Sequence, residues 1–189
     1  MDVSTALRLI DDARGTGPLV LVGIGGHGGA GKTTLARLVR DAQTVSTDEF
    51  WDGSGFDVPR LRREVLTPLL EGRPARFSSW SWATGRPGGT RTIEPHGLVL
   101  VEGVCALHRA LRDAYALRLW VEAPAEVRLA RGVARDGEAA RTTWSDVWMP
   151  REDAYVARDR PAECAHAIVD GTAALPDGAA AGLAAQEAR

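Results

Sequence analysis

The run Gly26-His27-Gly28-Gly29-Ala30-Gly31-Lys32-Thr33 satisfies the pattern G-x-x-x-x-G-K-[ST] in full. Glycines let the backbone curl until successive N–H groups point into one concavity, a cradle for phosphate oxygens. The helix expected to follow would add the positive end of its dipole. Lys32 would set its charge on the β- and γ-phosphates of a nucleoside triphosphate, and the Thr33 hydroxyl would ligate magnesium. Gly26, Gly28, Gly29, Ala30, Gly31, Lys32, Thr33 and the adjoining Thr34 are therefore the candidate nucleotide-binding residues. A Gly-rich turn can be purely structural, but the Lys-Thr pair in register argues against that here. His27 sits at a variable position of the pattern and is assigned no role.

Two carboxylates stand where chemistry on a phosphate would need them. Asp48 follows a weak second strand in Val45-Ser46-Thr47, and Glu102 follows Leu98-Val99-Leu100-Val101. A carboxylate can position an attacking hydroxyl and take its proton, and acidic groups gather around magnesium, often through water. Asp48 suits the first task and Glu102 the second, with Asp48 a further candidate metal ligand. The plainer alternative is that each caps an element.

Arg128, Arg131 and Arg135 recur at helical spacing and share one helix face, with Arg141 just beyond. Such a face can clamp a transferring phosphoryl group, and Arg131 is the member expected to act in catalysis. A solvated, ion-paired face is the alternative. Phe50, Trp51, Phe56, Phe77, Trp80 and Trp82 crowd into one stretch. They could stack on a planar acceptor or pack a core, and both readings stand. Trp144 and Trp148, one helical turn apart, read as packing residues.

These groups need elements to hold them. Leu19 to Gly25 and Leu98 to Val101 are continuous apolar runs, as in buried parallel strands; Leu117 to Val121 is another, with Arg118 its odd member. Gln43 to Ser46 and Ala167 to Val169 are weaker strands. Helices are expected over 3–14, 33–40, from Asp57 to Gly72 with a kink at Pro68, from Pro124 to about 135, and over 144–158. A hairpin is expected within about 76–95, from Arg76 to Trp82 and Arg91 to Glu94, turning at Gly85 to Gly89. Strands alternating with helices imply a parallel sheet covered on both faces.

The whole 189-residue chain reads as a single domain, its core about 19–171, with a lid about 128–145 and an Ala/Gly-rich tail, 172–189, that is a frayed helix or disordered. With 44% hydrophobic and 25% charged residues the composition is globular, and a formal net charge of -2 gives no global field for nucleic acid or an anionic membrane. Cys105 and Cys164 form no Cys-x-x-Cys pair and read as two buried small hydrophobes in a reducing compartment. No leader-like apolar core and no run of about 20 apolar residues occurs, so a cytoplasmic protein with neither nucleic-acid nor membrane partner is expected. Its oligomeric state is not encoded in any recognisable pattern.

Together these segments resemble the uridine kinase and phosphoribulokinase group of P-loop kinases. The likeness runs over residues 19 to 171. It is carried by the phosphate loop, Ser46-x-Asp48-x-Phe50-Trp51, Leu66-Thr67-Pro68-Leu69-Leu70-x-Gly72, the hairpin, Val101-Glu102-Gly103 and the arginine helix ending in Arg135-Asp136. The resemblance implies an α/β nucleoside-kinase-like fold: a five-stranded parallel sheet between helices, a hairpin near the acceptor and an Arg-rich lid. It implies ATP and Mg2+ as cofactors, Asp48 acting toward the hydroxyl of a small-molecule acceptor, and Arg128, Arg131 and Arg135 facing the phosphates. Trp51 in place of the usual Tyr, Ala140-Arg141-Thr142 in place of a Gly-Arg-Asp run, and a short segment from Trp51 to Leu61 depart from the pattern where the acceptor pocket is shaped. A nucleoside, a pantothenate-like alcohol, a sugar phosphate or an antibiotic are all compatible acceptors. A GTPase switch would need Asp-x-x-Gly directly after a strand and Asn-Lys-x-Asp before the last helix, and neither occurs in that place; a P-loop binder without kinase activity is the remaining alternative.

Overall fold

The computed structural model describes residues 1–180 and residue 183. Helix α1 (Val3–Arg14) is capped by Asp2, whose carboxylate accepts from the Thr5 amide at 2.7 Å. It leads to β1 (Leu19–Gly26), the phosphate loop and α2 (Lys32–Leu38). Next come β2 (Ala42–Ser46) and a 3-10 turn, Thr47–Phe50. The hairpin strands β3 (Ala75–Ser81) and β4 (Arg86–Ile93) follow a helical stretch, and then come β5 (Gly97–Glu102), β6 (Leu117–Glu122), α5 (Ala125–Asp136) and finally β7 (Ala167–Asp170).

Strands β2, β5, β1, β6 and β7 pair in that order, all parallel, into one five-stranded sheet, as the alternating pattern implied. Val20, Val22 and Ile24 pack with Leu98, Leu100, Leu119 and α1 on one face; Leu21, Val99, Val101 and Trp120 pack with the other helices opposite. Every residue of β5 after Gly97 is buried, which is why it reads as an uninterrupted apolar run.

Two helices depart from the expected form in the same way. The stretch after Asp57 runs as α3 (Val58–Leu61), a π turn (Arg62–Leu66) and α4 (Thr67–Leu70). Near the C-terminus, α6 (Arg141–Thr143), a π turn (Trp144–Trp148) and α7 (Met149–Asp159) follow one another. Each π turn ends two residues before a proline, Pro68 or Pro150. Proline has no N–H to donate back along the helix and its ring crowds the carbonyl four residues earlier. Widening one turn absorbs that crowding without ending the helix. The kink expected at Pro68 is therefore a π turn placed ahead of it.

The hairpin also differs from its sequence reading. The chain reverses at Trp82 to Gly85, and Pro87-Gly88-Gly89 belong to β4. A register shift between Ser78 and Trp80 accommodates them. Pro87 is tolerated because this is an isolated two-stranded ribbon with free edges. Of the tail, Leu175 packs against the α1 side of the core, and the Asp170 carboxylate accepts from the Thr172 amide at 2.8 Å. Of the expected frayed or disordered tail, residues 181–182 and 184–189 lie outside the described residues. No helix among the described residues is long and apolar enough to cross a membrane.

Candidate active site

Because the sheet is parallel, the loops after β2, β5, β1 and β6 leave one edge of it, and the strand order sets them side by side. Register pairs Ser46 with Glu102 and Glu102 with Ile24, so the carboxylate after β5 lies between the Asp48 turn and the phosphate loop. The reversal of strand order at β1 is where ligands bind in open α/β sheets.

In the loop, Gly29 and Gly31 take φ of 73° and 110°, a left-handed backbone that side chains resist. A Cβ at Gly29 would also collide with the main chain of Arg128 on α5. Lys32 is 7% exposed, and its Nζ donates to the His27 carbonyl at 2.7 Å. Burial pulls its pKa down, while the charges of Glu102, Glu152 and Asp48 pull it back up. The Thr33 hydroxyl lies 3.2 Å from Glu102 Oε2. Glu102 is 5% exposed; burial raises its pKa, opposed by the charge of Lys32. Gly103, at φ 141°, must be glycine, since a Cβ there would run into the buried Thr47 side chain.

Asp48 lies in the 3-10 turn, which is closed by a capping box: Ser46 Oγ accepts from the Asp48 amide at 3.3 Å and Glu49 accepts from the Ser46 amide at 3.0 Å. Ser46, not Asp48, is thus the cap, so Asp48 is free of that structural duty. Its side chain is reached by solvent yet crowded by protein. That crowding raises its pKa, and Lys32 and Arg135 lower it. Lys32, Asp48 and Glu102 form one electrostatic unit.

Helix α5 divides its arginines among three environments. Arg128 is 7% exposed, with Nε and Nη1 lacking hydrogen-bond partners; Nη1 stands 4.0 Å from Glu152 Oε2. Arg131 donates through Nη1 to the Gly29 carbonyl at 3.2 Å and through Nη2 to the Gly171 carbonyl at 3.0 Å, tying the helix to the loop. Arg135 pairs with Asp136 at 2.8 Å and lies 5.6 Å over the Trp144 ring, with its charge felt at Asp48. Arg141 pairs with Glu138 on the exposed surface.

Sequence reasoning did not single out Glu152. Its Oε2 accepts from the Gly28 amide of the phosphate loop at 2.9 Å, across 124 residues of chain. Trp144, buried beside Trp148, fits against Gly28 and Gly132, at neither of which a Cβ would have room. His27 also gains a partner, Asp153 at 3.2 Å, although burial pushes its pKa down to about 4 and leaves the ring neutral. The spacing of four through Trp144, Trp148 and Glu152 was the only sequence signal that these residues share a face.

The aromatic stretch splits. Phe50 and Phe77 are core, 4.9 Å apart. Trp51 packs edge-on against Phe56 at 5.2 Å and lies 5.5 Å from Trp82, which is 56% exposed. Arg91 of β4 ties the ribbon to the Asp48 turn through Glu49 and the Thr44 carbonyl. Among the described residues no cluster of three or more His, Cys, Asp or Glu could hold a metal unaided. A hydroxyl beside a buried carboxylate, completed by phosphate oxygens and water, is an all-oxygen donor set that suits magnesium.

No family model matches the chain. It is 30% identical over 138 residues to an Arabidopsis thaliana protein named inorganic pyrophosphatase TTM2, covering 65% of this chain and 20% of that one. It is 28% identical over 142 residues to the uridine kinase of Halobacterium salinarum, covering 63% of each. The chain thus spans less than two thirds of the length of either relative. In structure it is similar to a possible uridine kinase from Bacillus stearothermophilus, with a TM-score of 0.67 at 16% identity, over 89% of this chain and 97% of that one. The chain is thus similar in sequence to uridine kinases and shares the α/β fold of a possible uridine kinase.

Proposed function

We propose that this protein is an ATP- and magnesium-dependent phosphotransferase that moves the γ-phosphate of ATP to a hydroxyl group of a small molecule. The observation that carries the reading is the convergence of buried Lys32, buried Glu102 and solvent-accessible Asp48 at one sheet edge beside the loop amides. In this reading Asp48 accepts the proton of the acceptor hydroxyl as its oxygen attacks the γ-phosphorus. The bond from that phosphorus to the β–γ bridging oxygen breaks, and ADP leaves with its charge balanced by Lys32 and the loop N–H groups. Magnesium, held by Thr33 and, directly or through water, by Glu102 and Asp48, would neutralise charge on the β- and γ-phosphates. Arg135, whose charge reaches Asp48, faces the transfer, and Arg131 acts by fixing α5 against the loop.

A nucleoside stands first among acceptors, on the names of the uridine kinase relatives and on the aromatic surface of Trp51, Phe56 and Trp82 next to the Asp48 turn. Residues 128–145 act as a lid, and hydrogen exchange should show them better protected with ATP and magnesium than without. The test of the whole reading is ATP consumption across nucleosides, pantothenate-like alcohols, sugar phosphates and hydroxylated antibiotics, with the phosphorylated product identified. Consumption with one acceptor class supports it. Tight ATP binding with no product from any of them would leave a binder without transfer.

A further inference from the structure

The phosphate loop of this chain already holds a carboxyl group of its own. The Glu152 carboxylate, with 12% of its side-chain surface exposed, accepts from the Gly28 amide at 2.9 Å and lies 4.0 Å from Arg128. The Arg128 guanidinium is nine-tenths buried, and its Nε and Nη1 have no hydrogen-bond partner. A buried guanidinium strongly favours full pairing, so this half-partnered arrangement suits a ligand with more oxygens than one carboxylate offers. Lys32, too, spends its ammonium on a main-chain carbonyl while feeling the charges of three carboxylates. The π turn ahead of Pro150 aims this segment at the loop, laying Trp144 on Gly28 and bringing Asp153 to His27.

We infer that Glu152 is an internal stand-in for nucleotide phosphate. In the nucleotide-free protein it occupies the Gly28 amide beside Arg128 and holds the Trp144–Asp153 segment down on the loop, and the arriving triphosphate displaces it and takes over Arg128. The inference rests on reading Gly26–Thr33 as the phosphate loop, and it needs no transfer chemistry. Two negative groups cannot share one amide and one guanidinium without repulsion, so Glu152 competes directly with any oxyanion. It thereby sets both the affinity of the loop and the cost of closing an empty site.

The test uses the full chain, with sulfate and ATP as probes. Glu152→Gln keeps the shape and a carbonyl oxygen for Gly28 but removes the charge. It should bind sulfate and ATP about tenfold more tightly than wild type. Glu163→Gln, which removes an exposed charge outside the loop and outside residues 128–145, should bind both as wild type does. Wild-type-like or weaker binding by Glu152→Gln, while wild type still binds ATP, overturns the inference and leaves the kinase reading intact. Failure of both forms to bind either probe removes the phosphate-loop reading, and this inference with it. A measurement on wild type alone does not depend on how the variant folds. The Gly28 amide should exchange slowly with deuterium before any anion is added; fast exchange that slows only on adding sulfate would overturn the inference as well.

Discussion

At the phosphate end of the site the working groups are enclosed: Lys32, Glu102 and Arg128 are each 7% exposed or less. At the acceptor end the ribbon of β3 and β4 stands apart from the main sheet, most of β4 faces solvent, and Trp82 is half bare. The first region is held by main-chain geometry and buried charge, and a Cβ added at Gly28, Gly29 or Gly103 would collide with neighbouring atoms. The second is held by one strand pair, the Arg91 contacts to Glu49 and Thr44, the tilted Trp51–Trp82 ring pair, and the core packing of Ala75, Phe77 and Ile93. Phosphate chemistry is thus fixed in the part of the molecule that tolerates least change. In the proposed reading, acceptor choice falls to the exposed face of the ribbon, whose opposite face, with Ala75, Phe77 and Ile93, belongs to the core.

If that contrast holds, substitutions at the two ends should fail in different ways. Glu102→Gln removes charge beside Thr33 while keeping shape, and the magnesium concentration for half-maximal activity should rise about 10- to 100-fold, the scale seen when groups around a metal are altered. ATP affinity measured without metal should change far less, and superimposable magnesium curves would make Glu102 a structural residue. Trp51→Ala should raise KM for the acceptor about tenfold, with kcat and the KM for ATP changed less than threefold, because a stacking loss of this kind is about 1–1.5 kcal/mol. An equal loss toward ATP would mean the ribbon is not a separate acceptor element.

The smallest effect on chemistry should come from the frame behind both ends. Asp159 is buried and receives hydrogen bonds from the Arg109 amide and guanidinium and from Arg158. Burial alone would raise its pKa, but those bonds more than offset it and hold the carboxyl well below the usual carboxylate range. A carboxyl depressed on folding contributes stability above its unfolded pKa of about 4, and that stability is lost as pH falls through and below this value. Wild-type Tm should therefore drop as pH is lowered from about 5 to 3. Asp159→Asn should be less stable at pH 7, by about 1.5–3 kcal/mol, and should show less of that acid drop, with turnover per folded molecule unchanged. An identical acid limb in both forms would assign the pH dependence elsewhere.

The same contrast governs how much was legible in the sequence. The three central strands and the loop were readable because buried parallel strands leave unbroken apolar runs and the loop needs its Gly, Lys and Thr in fixed register; β2 and β7, at the sheet's edges, gave weaker patterns. Glu102 was readable because it directly follows such a run, and Asp48 because it follows the weaker strand ending at Ser46. Glu152 was not, because its partner Gly28 is 124 residues away and is joined to it only by tertiary folding. Nor were the three fates of Arg128, Arg131 and Arg135 separable, since helical spacing gives a shared face but not which donors main-chain carbonyls will use. The π turns ahead of Pro68 and Pro150 were missed for a related reason. Proline announces a disturbance of the helix without saying whether the helix bends, ends or widens.

Asp48 stands where the enclosed and the open regions meet, so the kinase reading turns on it. The decisive measurement is ATP affinity, turnover and Tm on Asp48→Asn, a change that keeps side-chain volume and leaves the loop amides and Lys32 in place. If Asp48 takes the proton of the acceptor hydroxyl, ATP affinity and Tm should stay near wild type. Both kcat and kcat/KM should then fall by something on the order of 10²–10⁴. Turnover retained near the wild-type level would contradict the account.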